Sequence, residues 1–432
     1  MHPPEGTDAR LYRRRVWAWA LYDVGNSAFY LTIVSSFFQF FFIDLYVQAH
    51  GPADAAAEAE LRQRGGAALG FTAGTAMAAV AVLGPFLGIV ADRTASKKKF
   101  LAAFAALGIA ASALMFFIPP GGWRAAAALY ALGTVGVAGS LVFYDALLPG
   151  VAREEDLDRV SALGYALGYG GSVVLFFVNV LLYLKPDLLG IADRGTAVRL
   201  AFVSVAVWWG LFTIPVLRGV PEPPAAAAGR PGLVRAVRDL ARFRSLLLFL
   251  AAFWIYADGI GTIIKLAAGF GYMLKLDQKD LLLALVIPQV LGVPCSLAFG
   301  RLAGRVGAKR AILLGLAGYA AVCLLAWGIR KPWHFYALAA GVGLVQGGTQ
   351  ALSRSLFALL VPQGRTAEFF GLFSTVEKFA GIVGPFLLGA IWSRGGDPRP
   401  GILALVVFFA AGAAVLAGVD VEKGRRQAEE AL

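Results

Sequence analysis

Apolar residues run through this chain in long blocks, and polar residues gather between them. A block of about 20 apolar residues makes a helix long enough to cross a bilayer. The pattern predicts twelve such helices: Val16–Val47, Ala67–Ala91, Phe100–Ile118, Trp123–Leu148, Val160–Leu184 and Thr196–Leu217, then Leu246–Leu274, Leu281–Leu302, Ala311–Ile329, Trp333–Val361, Ala367–Trp392 and Ile402–Val419. An even number of crossings returns both termini to one side. The expected fold class is all-α integral membrane, in two pseudo-symmetric six-helix bundles.

Composition agrees. Mean hydropathy is +0.70, and 15% of the 432 residues are charged, against roughly a quarter in soluble chains. The net charge of +12 would suggest nucleic acid in a soluble protein. Here the basic residues sit in loops, where they orient the chain, so no nucleic-acid partner is expected. Both termini and one set of loops carry 24 of the 39 Lys and Arg residues; the other loops carry 12. The basic-rich side is expected to be cytoplasmic. Arg13-Arg14-Arg15 precedes an apolar run too long for a signal-peptide core, so it reads as the start of a retained first helix. Cys295 and Cys323 both fall in apolar runs, and no Cys/His cluster has metal-ligand spacing. Neither a metal nor a cofactor is expected.

The middle of the chain breaks the pattern. Val220-Pro221-Glu222-Pro223-Pro224, four alanines and Gly229-Arg230-Pro231-Gly232 cannot form a helix core. From Leu233 to Phe243, Arg235, Arg238 and Arg242 share a face, which predicts a short helix lying on the membrane surface. The expected organisation is therefore 1–218, a six-helix bundle; 219–244, a linker with an interfacial helix; and 245–432, a second bundle. A repeat supports this division. Gly88-x-x-x-Asp92-Arg93-x-x-x-Lys97-Lys98 returns as Gly300-x-x-x-Gly304-Arg305-x-x-x-Lys309-Arg310, and Ala146-Leu147-Leu148 returns as Ala358-Leu359-Leu360, both at an offset of 212 residues. Parallel repeats of six helices are a transporter plan.

Charge inside the spans points to a cavity, because an ionised group at membrane depth needs a partner or water. Asp23 lies on the first span, Asp145 on the fourth, Asp258 and Lys265 on the seventh, Arg354 on the tenth, and Glu377 and Lys378 on the eleventh. Apart from the eleventh, these are every third helix, as expected if spans one, four, seven and ten line a central cavity. Helical spacing puts Asp258, Thr262 and Lys265 on one face, and Gln346, Gln350 and Arg354 on another. Tyr22-Asp23-x-Gly25 resembles Tyr256-x-Asp258-Gly259. Tyr22 and Asn26 complete the candidate pathway set on the first span. Ion pairs that merely fix packing remain the alternative for each charge; for Asp145 that partner could be a loop residue such as Arg93. Gly164, Gly168 and Gly171 allow close approach of another helix. Gly84-Pro85 and Gly384-Pro385 can bend their spans.

These residues resemble the major facilitator superfamily over essentially the whole chain. Its signature loop between helices two and three is matched by Gly88, Asp92, Arg93, Lys97 and Lys98, with Ala95 where glycine is usual. Within the superfamily, Trp19-Ala20-Leu21-Tyr22-Asp23-x-x-Asn26-Ser27-Ala28-Phe29, Phe143-Tyr144-Asp145-Ala146-Leu147-Leu148-Pro149, Gln346-Gly347-Gly348-Thr349-Gln350-Ala351-Leu352-Ser353-Arg354-Ser355 and Ala367-Glu368-Phe369-Phe370-Gly371 resemble the vacuole-effluxer family and its bacterial relatives. Val24-Gly25 departs from that pattern. The resemblance implies a secondary transporter in a bacterial plasma membrane; fungal members are implicated in releasing amino acids from vacuoles. It also implies a cytoplasmic gate made of Gly88, Asp92, Arg93, Lys97, Lys98, Gly300 and Arg305, with Asp92 near the helix N-terminus at Ala367.

The expected function is secondary active, efflux-type transport of a small polar solute, amino acids first, by alternating access in a monomer. Arg354 would grip a carboxylate, while Asp23 or Asp258 would meet an ammonium. Asp23, Asp258 and Glu377 are the candidate carriers of a coupling proton or sodium ion. Sugars are the alternative solutes, favoured by Asn26, Gln346, Gln350 and Tyr22. A non-transporting scaffold or sensor is a second alternative. No nucleophile constellation suggests an enzyme, and no P-loop suggests ATP drive.

Overall fold

A computed structural model describes residues 9–191, 193–224, 242–273, 278–380, 383–392, 397 and 399–430. Among these, the regular structure is helical throughout. The first half comprises α1 (Ala9–Ala28), a π-helical stretch (Phe29–Phe37), α2 (Phe38–His50), α3 (Ala55–Arg93), α4 (Lys97–Leu114), α5 (Trp123–Val151), α6 (Leu157–Leu184) and α7 (Arg194–Gly219). The second comprises α8 (Arg244–Met273), α9 (Gln278–Val306), α10 (Ala308–Leu325), α11 (Pro332–Leu360), α12 (Thr366–Phe379), α13 (Val383–Trp392), α14 (Arg399–Ala417) and α15 (Val421–Glu430). Ten helical segments among the described residues are long and apolar enough to cross a membrane. The linker residues 225–241, with most of the expected surface helix 233–243, lie outside the described residues.

The duplication is visible in the backbone. α4 and α10 are each 18 residues long, each runs into a three-residue 3-10 turn, and each is followed by a 29-residue helix, α5 or α11. Hydrogen bonds repeat as well. Tyr22 Oη on α1 donates to Ser140 Oγ on α5 at 2.7 Å, and Tyr256 Oη on α8 sits 2.7 Å from Ser353 Oγ on α11.

Two expected spans are not uniform α-helices. The first, Val16–Val47, lengthens to Ala9–His50 and carries the nine-residue π stretch just after the Tyr22–Asn26 segment. The eleventh, expected as the single span Ala367–Trp392, is two helices, α12 and α13. Ala380 is extended and ends α12. Pro385 then sits in the first turn of α13, where it has no N–H to donate to a preceding turn and its ring excludes one. Glu377 and Lys378 therefore lie at the end of a broken helix, where the sequence pattern placed them mid-span. The second span is also longer than expected: Asp54 accepts from the Ala57 N–H at 2.7 Å and starts α3 at Ala55, well before Ala67. At the start of α7 the Asp193 carboxylate accepts from the Thr196 N–H and hydroxyl, which holds it below the usual carboxylate range.

Candidate functional site

The two halves pack most extensively through α3 against α12 and α6 against α9. Small residues make this possible. A Cβ on Gly88 would collide with the Ala367 carbonyl, and one on Gly371 would meet the backbone of Gly84 and Pro85. On the other pair of helices, a Cβ on Gly300 would fall 2.6 Å from Ala162 Cβ. All three contacts lie toward the end that carries both terminal helices, the basic end. At the other end, α2 makes no comparable packing on the second half.

Arg354 of α11 crosses between the halves. Its Nη1 lies 3.0 Å from Asp145 Oδ1 on α5 and 3.4 Å from Asp23 Oδ2 on α1. Nε donates to Ser161 Oγ and Nη2 to the Ser161 carbonyl on α6, both at 2.9 Å. The guanidinium is enclosed by aromatic rings, 4.9 Å from Trp19, 4.5 Å from Tyr165 and 5.6 Å from Tyr144. Gly164 opens the space for it, since a Cβ there would meet both Asp23 Oδ2 and Arg354 Nη2. Gly168 and Gly171 continue the same seam against Ser27 and Val24, so α1 and α6 run in close contact.

The two carboxylates are not equivalent. Asp23 also accepts from Tyr144 Oη at 2.9 Å and Asn26 Nδ2 at 3.2 Å. For Asp145, Arg354 is the one hydrogen-bond partner among the described residues. The Asp145 side chain is 19% exposed and that of Asp23 9%. Two acids thus share one guanidinium, and the less satisfied acid is the more open one. Ser161 was not singled out from sequence; a lone serine in an apolar helix carries no signal until its neighbour is known.

The remaining candidates separate. Tyr22 and Asn26 stay with Asp23, Asn26 also donating to the Tyr22 carbonyl. Tyr169 on α6 joins Gln350, to which it donates at 3.1 Å, and Gln346, from which it accepts at 3.3 Å, again linking the halves. Asp258 does not join this group. Its carboxylate accepts from the Val383 N–H at 3.0 Å and the Gly384 N–H at 2.9 Å, capping α13 within its own half. Thr262 donates to the Asp258 carbonyl, and its hydroxyl and the Asp258 carboxylate fill the space a Gly384 side chain would need. In this structure the Asp258 carboxylate, a candidate for meeting an ammonium, is engaged as a helix cap. Glu377 is exposed at the end of α12. The Lys265 and Lys378 side chains lie outside the described residues.

At the basic end, Asp92 is 3% exposed and reaches the N-terminus of α12. It accepts from the Ala367 N–H at 3.2 Å and the Glu368 N–H at 2.8 Å, while Lys97 Nζ sits 2.7 Å from its Oδ1. Glu368 itself is held by Arg365 through two 2.8 Å bonds. The Lys98 N–H donates to Glu222 at the start of the linker. Arg93 and Arg305 are exposed. Ala95, where the resembled family has glycine, adopts φ +46°, and its repeat partner Gly307 has φ +87°. The loop demands the left-handed region in both copies.

Two helical bundles with a charge cluster between them are the plan of a secondary transporter, and its family and relatives make this one a transporter of the major facilitator superfamily. Solved structures agree on the fold: the superfamily transporter FucP in its outward conformation aligns with a TM-score of 0.68 over 95% of this chain and 98% of that chain, at 12% identity. The proton:xylose symporter XylE aligns at 0.69 over 96% of each chain, at 13% identity. The chain belongs to the vacuole effluxer Atg22-like family, whose pattern matches residues 12–429. It is 35% identical over 414 residues to the MFS-type transporter YxiO of Bacillus subtilis (strain 168), covering 94% of both chains. It is 30% identical over 303 residues to autophagy-related protein 22-1 of Penicillium rubens, matching 62% of this chain and 50% of that one. The chain thus spans about half the length of that fungal relative.

Proposed function

We propose that this transporter moves a small zwitterionic solute, with amino acids the first class, by alternating access coupled to a proton. The bodies that move are 1–218 and 245–432, joined by 219–244, with both termini cytoplasmic. The observation that carries the reading is the sharing of Arg354 by Asp23 and Asp145 across the two halves. Among the described residues, one cation against two acids leaves room for one more positive charge, a proton or a solute ammonium. Asp145, the more open acid, takes that charge. Arg354, released from one carboxylate, takes the carboxylate of the solute in a bidentate grip. Asp258, engaged at the α13 N-terminus, drops out as a carrier. The tight packing at the basic end and the looser opposite end support an outward-facing state.

The test is uptake of a labelled amino-acid mixture into proteoliposomes under an imposed pH gradient, with sodium-gradient and labelled-sugar arms. Wild type should accumulate amino acids against their gradient only when the pH gradient is present. Asp145→Asn should abolish that accumulation while retaining solute exchange. Arg354→Lys keeps the charge and loses the fork, so exchange should fall by about tenfold or more. Sugar uptake without amino-acid uptake refutes the zwitterion reading, and sodium-driven accumulation refutes the proton.

A further inference from the structure

Away from the central cluster, a cavity of about 700 Å³ opens at the basic end between α1, the start of α6 and α9. Four arginines from both halves border it: Arg13, Arg153, Arg159 and Arg301. Among the described residues, Asp156 is the one acid on its border, and it already accepts from Tyr12 Oη at 2.7 Å. Arg153 lies over the Tyr12 ring, 4.9 Å from its centroid, with a long 3.7 Å contact to the exposed Glu155. Arg13, Arg159 and Arg301 make no ion pair among the described residues. All four are exposed, so solvent screens part of their mutual repulsion, and an anion bound among them would relieve the rest.

The rest of the wall is apolar. Val16, Leu163 and Leu297 face the cavity from membrane-spanning helices, and Trp17, at its edge, is 48% exposed. An indole at that level is a headgroup-depth anchor. A basic rim above an apolar wall matches a phosphate joined to an acyl chain; a free anion would need the rim alone. Basic pockets between membrane helices are recognition sites for acidic lipid headgroups.

We propose that this cavity binds an anionic glycerophospholipid, its phosphate between Arg159 and Arg301 and its glycerol and upper chains against Leu163 and Leu297. Arg159 belongs to the first half and Arg301 to the second, and Gly300 brings the two helices into contact between them. The bound headgroup therefore ties the halves together at the basic end and favours the state closed there.

The experiment measures thermal unfolding of the full-length protein in detergent with added dioleoyl phosphatidylglycerol, dioleoyl phosphatidylcholine or inorganic phosphate. Phosphatidylglycerol should raise the midpoint, and phosphatidylcholine and phosphate should not. Arg159→Gln/Arg301→Gln should raise the half-saturating phosphatidylglycerol concentration by about tenfold or more. The matched charge loss Arg124→Gln/Lys185→Gln, at the other end, should leave it unchanged. Arg13→Gln gives a milder shift and serves if the double variant does not fold. Equal stabilisation by phosphatidylcholine overturns headgroup recognition. Stabilisation by phosphate alone overturns the lipid. An unchanged half-saturation in both arginine variants overturns the location.

Discussion

The two copies of the basic loop began alike and now do different work. In the first, Gly88 lets α3 touch α12, and Asp92 reaches across to the first two N–H groups of that helix beyond Thr366. In the second, Gly304 replaces the aspartate, and a Cβ there would meet nothing within 4 Å. Its Lys309, the repeat partner of Lys97, instead donates to the Ala417 and Val419 carbonyls at the end of α14, inside its own half. Both copies pack across the halves through their first glycine, Gly88 or Gly300, but the first adds a charged clamp to the other half, while the second spends its lysine inside its own bundle. A duplicated fold needs only one such clamp at each end to close a pathway, and an anion is useful only where a helix N-terminus faces it.

The largest break in this asymmetry comes from Gly88→Val. The new side chain would run into the Ala367 backbone, which cannot yield without parting α3 from α12. Transport should stop, and cysteine reporters at the basic end should become reactive. Gly304→Val, at the repeat position of Asp92, should leave both within twofold of wild type. Asp92→Asn comes next. Its pair with Lys97 lies within one half and does not depend on the interface between the halves, so weakening it should largely cancel in the closure equilibrium. The bonds to Ala367 and Glu368 belong to the closed interface, and weakening them should cost about 1 kcal/mol or more, roughly fivefold or more in the closed-to-open ratio. The smallest effect is Ala95→Gly. Glycine relieves the left-handed strain that Gly307 avoids in the second copy, and should stabilise the protein by about 1 kcal/mol or less, read as a small rise in melting midpoint.

Much of this comparison was legible in the sequence. The 212-residue offset linked the two loops, and the acid at position 92 against glycine at 304 marked the asymmetric one. Charge on every third span drew attention to Asp23, Asp145 and Arg354, which do meet. Other features depend on geometry that periodicity does not carry. Asp258 and Asp23 sit in similar local sequence, yet Asp258 turns to the α13 N-terminus because Pro385 breaks the eleventh span. That break is invisible to hydropathy, since both pieces are apolar. Asp145 was expected to be either a cavity acid or a partner of a loop residue such as Arg93. Its partner is Arg354, 209 residues away. The C-terminal helix Val421–Glu430, too polar to register as a span, pairs Arg425 with Glu154 of the other half at 2.7 Å, a second tie at the same end.

The most direct test of the closing clamp is the distance between spin labels at Thr94→Cys and Arg305→Cys, with Cys295 and Cys323 replaced by Ala. Pulsed electron resonance on the protein in nanodiscs should show a major short population and a minor long one. Asp92→Asn should shift weight to the long distance, whereas Gly304→Asn, its repeat counterpart, should not. A distribution that Asp92→Asn leaves unchanged, or that Gly304→Asn shifts equally, would contradict the account.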